Sequence, residues 1–374
     1  MFISQKMYGL KIFLAGDEYT EDSGQLSYIT ITEDVTNPIP KLDIVLVMKA
    51  SYVESNPIRD GMSIVIEENS TESRWEFRAS SETSDVDRAT GLVTTRILGW
   101  LDVPGIWVVN SSYSGVYTSS SVFQTVAQGL GLSYVGSSTN DRQAWCSGNQ
   151  RVLDYLNFVA DHAYSDDLSV FIWYIDKRKN ITLNNLTRTM QNSSNTSFEP
   201  GIFTSPRKSG LVHYISYKVN SDFGVDNVYQ GYGTDFLIFD ALENKNSPIH
   251  PENYVKFSAS LNINKNFAST VNVENYELNA GNDHPKMYFA ENHNQRGRAL
   301  WNRRITLQSS FLQPEITLGS KAELRADLVE GVRSDRFSGP HLITLIKTTF
   351  RVDECEVIYE LTSQGFFSNT KDML

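Results

Sequence analysis

Asp161-His162 followed by Asp166-Asp167 is the arrangement in this 374-residue chain closest to a metal or acid–base cluster. Imidazole and carboxylate side chains together can ligate a cation or relay a proton. The same spacing suits a polar helix end running into a loop, and that is the reading adopted. His284 and His293, with Asp283 and Glu291, offer a second set of potential ligands in a loop-like stretch, where histidines are commonly solvated. His341 follows Pro340 at a strand start and reads as a surface residue. Two cysteines, Cys146 and Cys355, have no CxxC spacing or Cys/His cluster around them, which argues against zinc. The chain has no GxSxG elbow, HExxH helix or GxxxxGK[ST] phosphate loop. GLGLSYVG (129–136) and GYG (231–233) read as turn glycines, the first because it follows a helix rather than a strand. Carboxylates are abundant enough for a glycoside-hydrolysing pair, but the sequence selects none. No catalytic residue, cofactor or metal is therefore expected.

Composition narrows the partners. A formal net charge of −11 argues against nucleic-acid recognition, which needs clustered Lys and Arg. Such acidity suits solubility, or a surface that nucleic acid passes without sticking. The N-terminal MFISQKMYGLKIFLAGDEY has no long apolar core of a signal peptide, and no run of ~18 apolar residues predicts a membrane span. Two cysteines in a chain of this length suit a reducing compartment.

The elements that must position these residues are mostly strands. LSYITITEDV (26–35), KLDIVLVMK (41–49), RDGMSIVIEEN (59–69), RWEFRASSETSDV (74–86) and LVTTRILGW (92–100) alternate apolar and polar residues between turns, including Asp60-Gly61. This pattern predicts a barrel or sandwich over the first ~100 residues. From Tyr113 the pattern changes. SGVYTSSSVFQTVAQGLGLSYVG (114–136) predicts a short helix with an N-cap among Ser119–Ser121. A longer helix is predicted from about Asn149 to Ala163, with Val152, Leu153, Leu156, Val159, Ala160 and Ala163 on one face. LSVFIWYI (168–175) and NITLNNL (180–186) then form a hairpin around the polar, basic turn Asp176–Lys179. Residues 190–210 read as a linker and 221–300 as an irregular insertion, with strand-like pieces at 255–263 and 269–278. A short helix over 292–304 carries Ala299 and Trp301. The last quarter reads as a closing β-unit: a strand broken at Pro314, a turn at Gly319, and a turn at Gly339-Pro340 that launches GPHLITLIKTTFR before ECEVIYELTS. Trp145, in RQAWCSG before the longer helix, is either a partner contact or part of the local core, and the core reading is preferred. Gly61, Gly319 and Gly339 are turn residues on any reading.

In order, RDGMSIVIEEN…TRILGW (59–100), SVFQTVAQGLGLS with AWCSGNQRVLDYLNFVADHAYSDDLSVFIWYIDKRKNITL (121–183), and PEITLGSKAEL…GPHLITLIKTTF (314–350) resemble the T4-type baseplate central hub family of contractile phage tails. The resemblance is also to the hub part of secretion-system spike proteins. It implies a mainly β fold with α+β insertions: two tube-like β-barrel domains plus a small α+β module. The implied boundaries are a first barrel at 1–113, the module at 114–200, and a second barrel at 201–374 with an insertion at about 221–300. It further implies a structural, non-enzymatic homotrimer, whose six barrels form a pseudo-sixfold ring between the tail tube and the central spike. Implied partners are the spike protein, tube or tube-initiator proteins, the tape measure protein and the baseplate wedges. DNA would cross the lumen without specific binding, and a net-negative lumen would let it slide. The implied location is the virion tail baseplate, assembled in the host bacterial cytoplasm without stable membrane insertion. The chain ends soon after its last strand, so a separately encoded spike is expected. Two competing readings are a tail-associated cell-wall hydrolase and a β-rich glycan-binding adhesin; the 18 Tyr and 6 Trp give the adhesin mild support.

Overall fold

The computed structural model describes residues 9–20, 23–68, 73–166, 168–201, 210–221, 236–240, 245–249, 271–276, 290–291, 294, 297–298, 301, 303–310, 312–329, 331–351 and 354–363. The fold is mainly β with small helical insertions, and fourteen strands drawn from both ends of the chain share one sheet.

The first half of that sheet contains β1 (Leu10–Leu14), β2 (Asp17–Glu18), β3 (Gly24–Asp34), β4 (Asn37–Lys49), β5 (Ser63–Glu68), β6 (Ser73–Asp87) and β7 (Leu92–Leu101), with the short α1 (Ala50–Ser55) after β4. All of its pairings are antiparallel. Alternation sorts the side chains: β4 buries Leu42, Ile44, Leu46 and Met48 and turns Lys41, Asp43, Val45 and Val47 away from the core. Asp60-Gly61 lies in the turn before β5. Gly61 has φ +74°, its N–H donates to the Ala79 carbonyl (2.8 Å), and its own carbonyl accepts from Arg78 Nη1 (3.2 Å).

The middle of the chain forms a layered unit from β8 (Gly115–Tyr117), α2 (Ser119–Gly129), β9 (Ser133–Gly136), β10 (Gln143–Trp145), α3 (Val152–Asp161), β11 (Phe171–Ile175), β12 (Asn180–Asn185) and α4 (Leu186–Gln191). The N-cap of α2 is Thr118 rather than one of the three serines, its hydroxyl accepting from the Ser121 N–H. The buried Asp141 carboxylate accepts from the Ser119 and Tyr164 N–H groups (2.9 and 3.0 Å), adding negative charge at the helix start. α3 is shorter than the periodicity suggests, and Val152, Tyr155, Leu156, Val159 and Ala160 are its buried face. Burying such a stripe stabilises by several kcal/mol at ~25 cal/mol per Å² before entropy is counted.

The remaining strands are β13 (Thr196–Pro200), β14 (Leu211–Tyr214), β15 (Ser216–Ser221), β16 (Phe236–Asp240), β17 (Lys245–Ile249), β18 (Val271–Tyr276), β19 (Arg303–Ser309), β20 (Lys321–Leu324), β21 (Asp327–Val329), β22 (Val332–Arg333), β23 (Gly339–Phe350) and β24 (Cys355–Ser363). The stretch 190–210 is not simply a linker. Its residues 196–200 form β13, which pairs with β14 and β20 in the large sheet, and Phe198 is fully buried there. Polar composition disguised a strand with one buried anchor. Within 221–300, β16, β17 and β18 pair with one another. The strand expected at 255–263 lies outside the described residues, as does Ala299. Ala290, Glu291, Asn294, Gly297 and Arg298 are helical, while Trp301 follows outside the helix.

Five strands of the first half recur in the second in the same chain order. The path β3-β4-β7-β6-β5 matches β15-β19-β24-β23-β20, antiparallel at every step. The register matches as well. Ser81 opposes Leu98, which opposes Asp43, which opposes Thr30. In the second half Leu345 opposes Glu360, then Thr306, then Lys218. The same core-facing positions are buried: Ile97 and Tyr359, Leu42 and Ile305, Ile44 and Leu307. Even the bulges coincide, between Ala79 and Ser81 in β6 and between Ile343 and Leu345 in β23.

Candidate functional site

The two halves meet edge to edge. After its bulge, β23 leaves β20 and pairs antiparallel with β3, from Leu345 opposite Asp34 to Phe350 opposite Ile29. A β-bulge re-aims a strand and releases it from one neighbour, which is its role here. Thr30 and Thr349 face each other across this seam, their hydroxyls 3.0 Å apart and buried. Phe350 lies against Trp75 of the first half, with ring centroids 6.1 Å apart.

The basic turn of the β11–β12 hairpin sits over the same joint. Lys177 and Glu33 form an ion pair (3.1 Å) whose side chains are only 10% and 4% exposed. The Lys177 backbone N–H also donates to Glu33 Oε1 (3.0 Å), and its ammonium lies 5.8 Å from the Trp75 ring. Lys179 reaches Glu76 (2.7 Å), and this hydrogen bond is the main cause holding the Glu76 carboxyl below its ordinary value. Lys179 has φ 63°, a conformation a non-glycine residue keeps only where its surroundings require it. Toward the second half, Arg178 donates to the Pro314 carbonyl, Tyr174 to the Leu318 carbonyl (2.5 Å), and Asn184 Nδ2 to the Gly319 carbonyl (2.7 Å). One hairpin thus grips both halves through residues on either side of the seam. Burial is the main cause raising the Tyr174 hydroxyl pKa, so it stays a neutral donor.

Pro314 and Gly319 therefore belong to this joint, and Gly339 (φ +128°) opens β23 opposite Leu324. Gly61 lies in the β5 turn of the first half. Trp145 is 4% exposed, donates Nε1–H to the Tyr117 carbonyl (3.0 Å) and meets Phe158 edge-on. A cleft of about 320 Å³ adjoins the joint, lined in part by Thr36, Asn157, Trp173, Arg298, Arg304 and Glu360. Burial raises the Glu360 carboxyl above its ordinary value although Arg304 Nε lies 3.8 Å away. Thr344 Oγ1 donates to Glu360 (3.1 Å), so the carboxylate is tied into the sheet.

The residues first singled out for chemistry do not converge. Asp161 is held by Arg298 (2.6 Å), and Asp166 lies 3.8 Å from Arg188. His162 is buried, donates Nδ1–H to the Phe158 carbonyl (2.8 Å), and turns Nε2 toward Glu291 (3.4 Å). Among the described residues no three His, Cys, Asp or Glu side chains come together as cation ligands. Asp167, Asp283, His284 and His293 lie outside the described residues. His341 is not a surface residue. It is fully buried in β23, and burial lowers its imidazole to about 4, leaving it neutral near pH 7. The dipeptide Gly-Pro before it suggested an exposed strand start, but β20 and β24 cover both edges of the strand there. Cys146 is exposed and Cys355 buried, and neither is in a disulfide. No helix among the described residues is long and apolar enough to cross a membrane.

No family model matches the chain, and no curated protein matches it in sequence. Solved structures do. A tail protein from Neisseria meningitidis aligns with a TM-score of 0.58 at 10% identity, over 96% of this chain and 97% of that one. The 43 kDa tail protein of prophage MuSo2 from Shewanella oneidensis gives 0.58 at 10% identity, over 95% and 96%. A chain of the half-lidded Francisella PdpA-VgrG complex gives 0.50 at 10% identity, with 95% of this chain covering 58% of that one. Along nearly its whole length, then, this chain has the fold of these two tail proteins.

Proposed function

We propose that this chain is the structural hub of a contractile phage tail baseplate. Three copies form a ring in which each chain supplies two related strand units, six in all. Such a ring matches a sixfold tail tube on one face and a threefold central spike on the other. The observation that carries this reading is the duplication of one five-strand unit within the chain, with the copies joined edge to edge by the β3–β23 seam. A unit built to join a copy of itself can continue around a closed ring. The fold likeness to two tail proteins, one of them from a prophage, over 96% and 95% of the chain supports the setting. The role is mechanical rather than catalytic: the polar groups at the joint are spent on one another, in ion pairs and hydrogen bonds that fix the angle between the units. In this reading the spike protein and tube proteins are the partners, DNA crosses the lumen, and the protein resides in the virion tail.

The mass of the purified chain by light scattering, alone and mixed with a candidate spike protein, tests this. A species of three times the 42.2 kDa chain mass, in either sample, is the expected result. A monomer in both would contradict the hub reading and direct attention to peptidoglycan and glycan assays.

A further inference from the structure

The duplication leaves one strand edge of each unit unpaired among the described residues. In the seam within the chain, the post-bulge half of β23 lies on the outer edge of β3. The counterpart of β23 is β6, and the counterpart of β3 is β15. Beyond its bulge, β6 pairs with β7 on one side, and among the described residues no strand occupies its other edge over Ser81–Asp87. Residues Ser81–Asp87 are all exposed. Similarly, β15 pairs with β19 on one side, with no strand among the described residues on the other. Open edges of this kind are templates for pairing with another chain.

We infer that β6 of one copy pairs antiparallel with β15 of the next, repeating the internal seam between chains. This deepens the trimeric hub reading and rests on it. Register follows from the internal seam without adjustment. Leu345 opposes Asp34 there, and carrying each strand to its counterpart sets Glu82 opposite Ser221 and Asp87 opposite Ser216. All of β15 is then matched. At this register, Asp85 faces Lys218 where Thr349 faces Thr30 in the internal seam. Asp87 lies diagonal to the same lysine, and both Asp85 and Lys218 are exposed in the single chain. Val86, 58% exposed, faces the half-buried Tyr217, where Phe350 faces Ile29 internally. Opposite charges and aromatic–β-branched pairs placed directly across strands favour pairing. The neutral Thr–Thr pair inside the chain and the charged Asp–Lys pair between chains also keep the two seams from exchanging partners.

Cysteine cross-linking tests the register. Directly opposed residues have Cα atoms ~4.5–5.5 Å apart, within disulfide range. The full chain carrying Cys146→Ser, Asp85→Cys and Lys218→Cys should oxidise to covalent dimers and trimers. The chain carrying Cys146→Ser, Glu82→Cys and Lys218→Cys is three residues out of register, ~10 Å by strand rise, and should not cross-link. As a check independent of oxidation, Asp85→Lys or Lys218→Asp alone should reduce the trimer fraction in light scattering, and the double reversal should restore it. No 85–218 cross-link in a sample that scatters as a trimer overturns this pairing and leaves the hub reading standing. No cross-link in a sample that scatters as a monomer overturns both.

Discussion

Replacing Glu33 with alanine should destabilise the chain by about 3–5 kcal/mol, the cost of stranding one member of a buried ion pair. The Lys177 ammonium would remain only 10% exposed beside Trp75 with no carboxylate, and the Lys177 backbone N–H would lose its acceptor. Lys177→Met should cost a similar amount by stranding the carboxylate instead. The double replacement Glu33→Leu with Lys177→Met should be close to neutral, because a desolvated pair often contributes little beyond what packed apolar side chains supply. Urea unfolding of the four proteins, followed by tryptophan fluorescence, gives the comparison. If either single variant shifts stability by less than ~1 kcal/mol, the hairpin does not grip the seam as the geometry implies.

Gly319→Val should be nearly as damaging, for a different reason. Gly319 has φ +70°, and a Cβ there would lie 2.6 Å from the Tyr174 hydroxyl oxygen and 2.7 Å from its Cε1. The left-handed backbone costs about 1–2 kcal/mol for a side-chain-bearing residue. Overpacking adds typically 1–3 kcal/mol, because Tyr174 cannot step aside without giving up its bond to Leu318. Gly61→Ala separates these costs. Its φ is +74°, but nothing lies within 4 Å of the added Cβ, so only the backbone share should appear. Thermal melts of both variants should show a clearly larger loss for Gly319→Val. Equal losses would mean that the contact between Gly319 and Tyr174 is not tight.

Much of this architecture can be read from residue order. Alternation in 26–49 and 59–100 marks the strands of the first half, and helical spacing marks the middle of the chain. Gly61 and Gly319 lie in turns, whereas Gly339, read from the sequence as a turn residue, is the first residue of β23 and pairs with Leu324. The seam is a different kind of object. Thr30 and Thr349 are 319 residues apart, and neither strand's pattern names its partner. Nor does the duplication show as a sequence repeat, because what recurs is register and burial. Ile29 and Ile31 of β3 correspond to Tyr217 and Val219 of β15, and a turn of two residues corresponds to the whole stretch 222–302. One signal for the joint was present. Lys177, Arg178 and Lys179 are three successive cations at a hairpin tip in an acidic chain, which calls for carboxylate partners. The sequence could not say that Glu33 and Glu76 were those partners, since that depends on how the hairpin lies across the sheet.

End-on electron-microscope images of the assembled protein test the central claim most directly, because the claim is a count. Two related strand units per chain and three chains predict a closed ring with six similar lobes around an open centre. A closed trimer with only three lobes, or a compact particle with no central opening, would contradict the account.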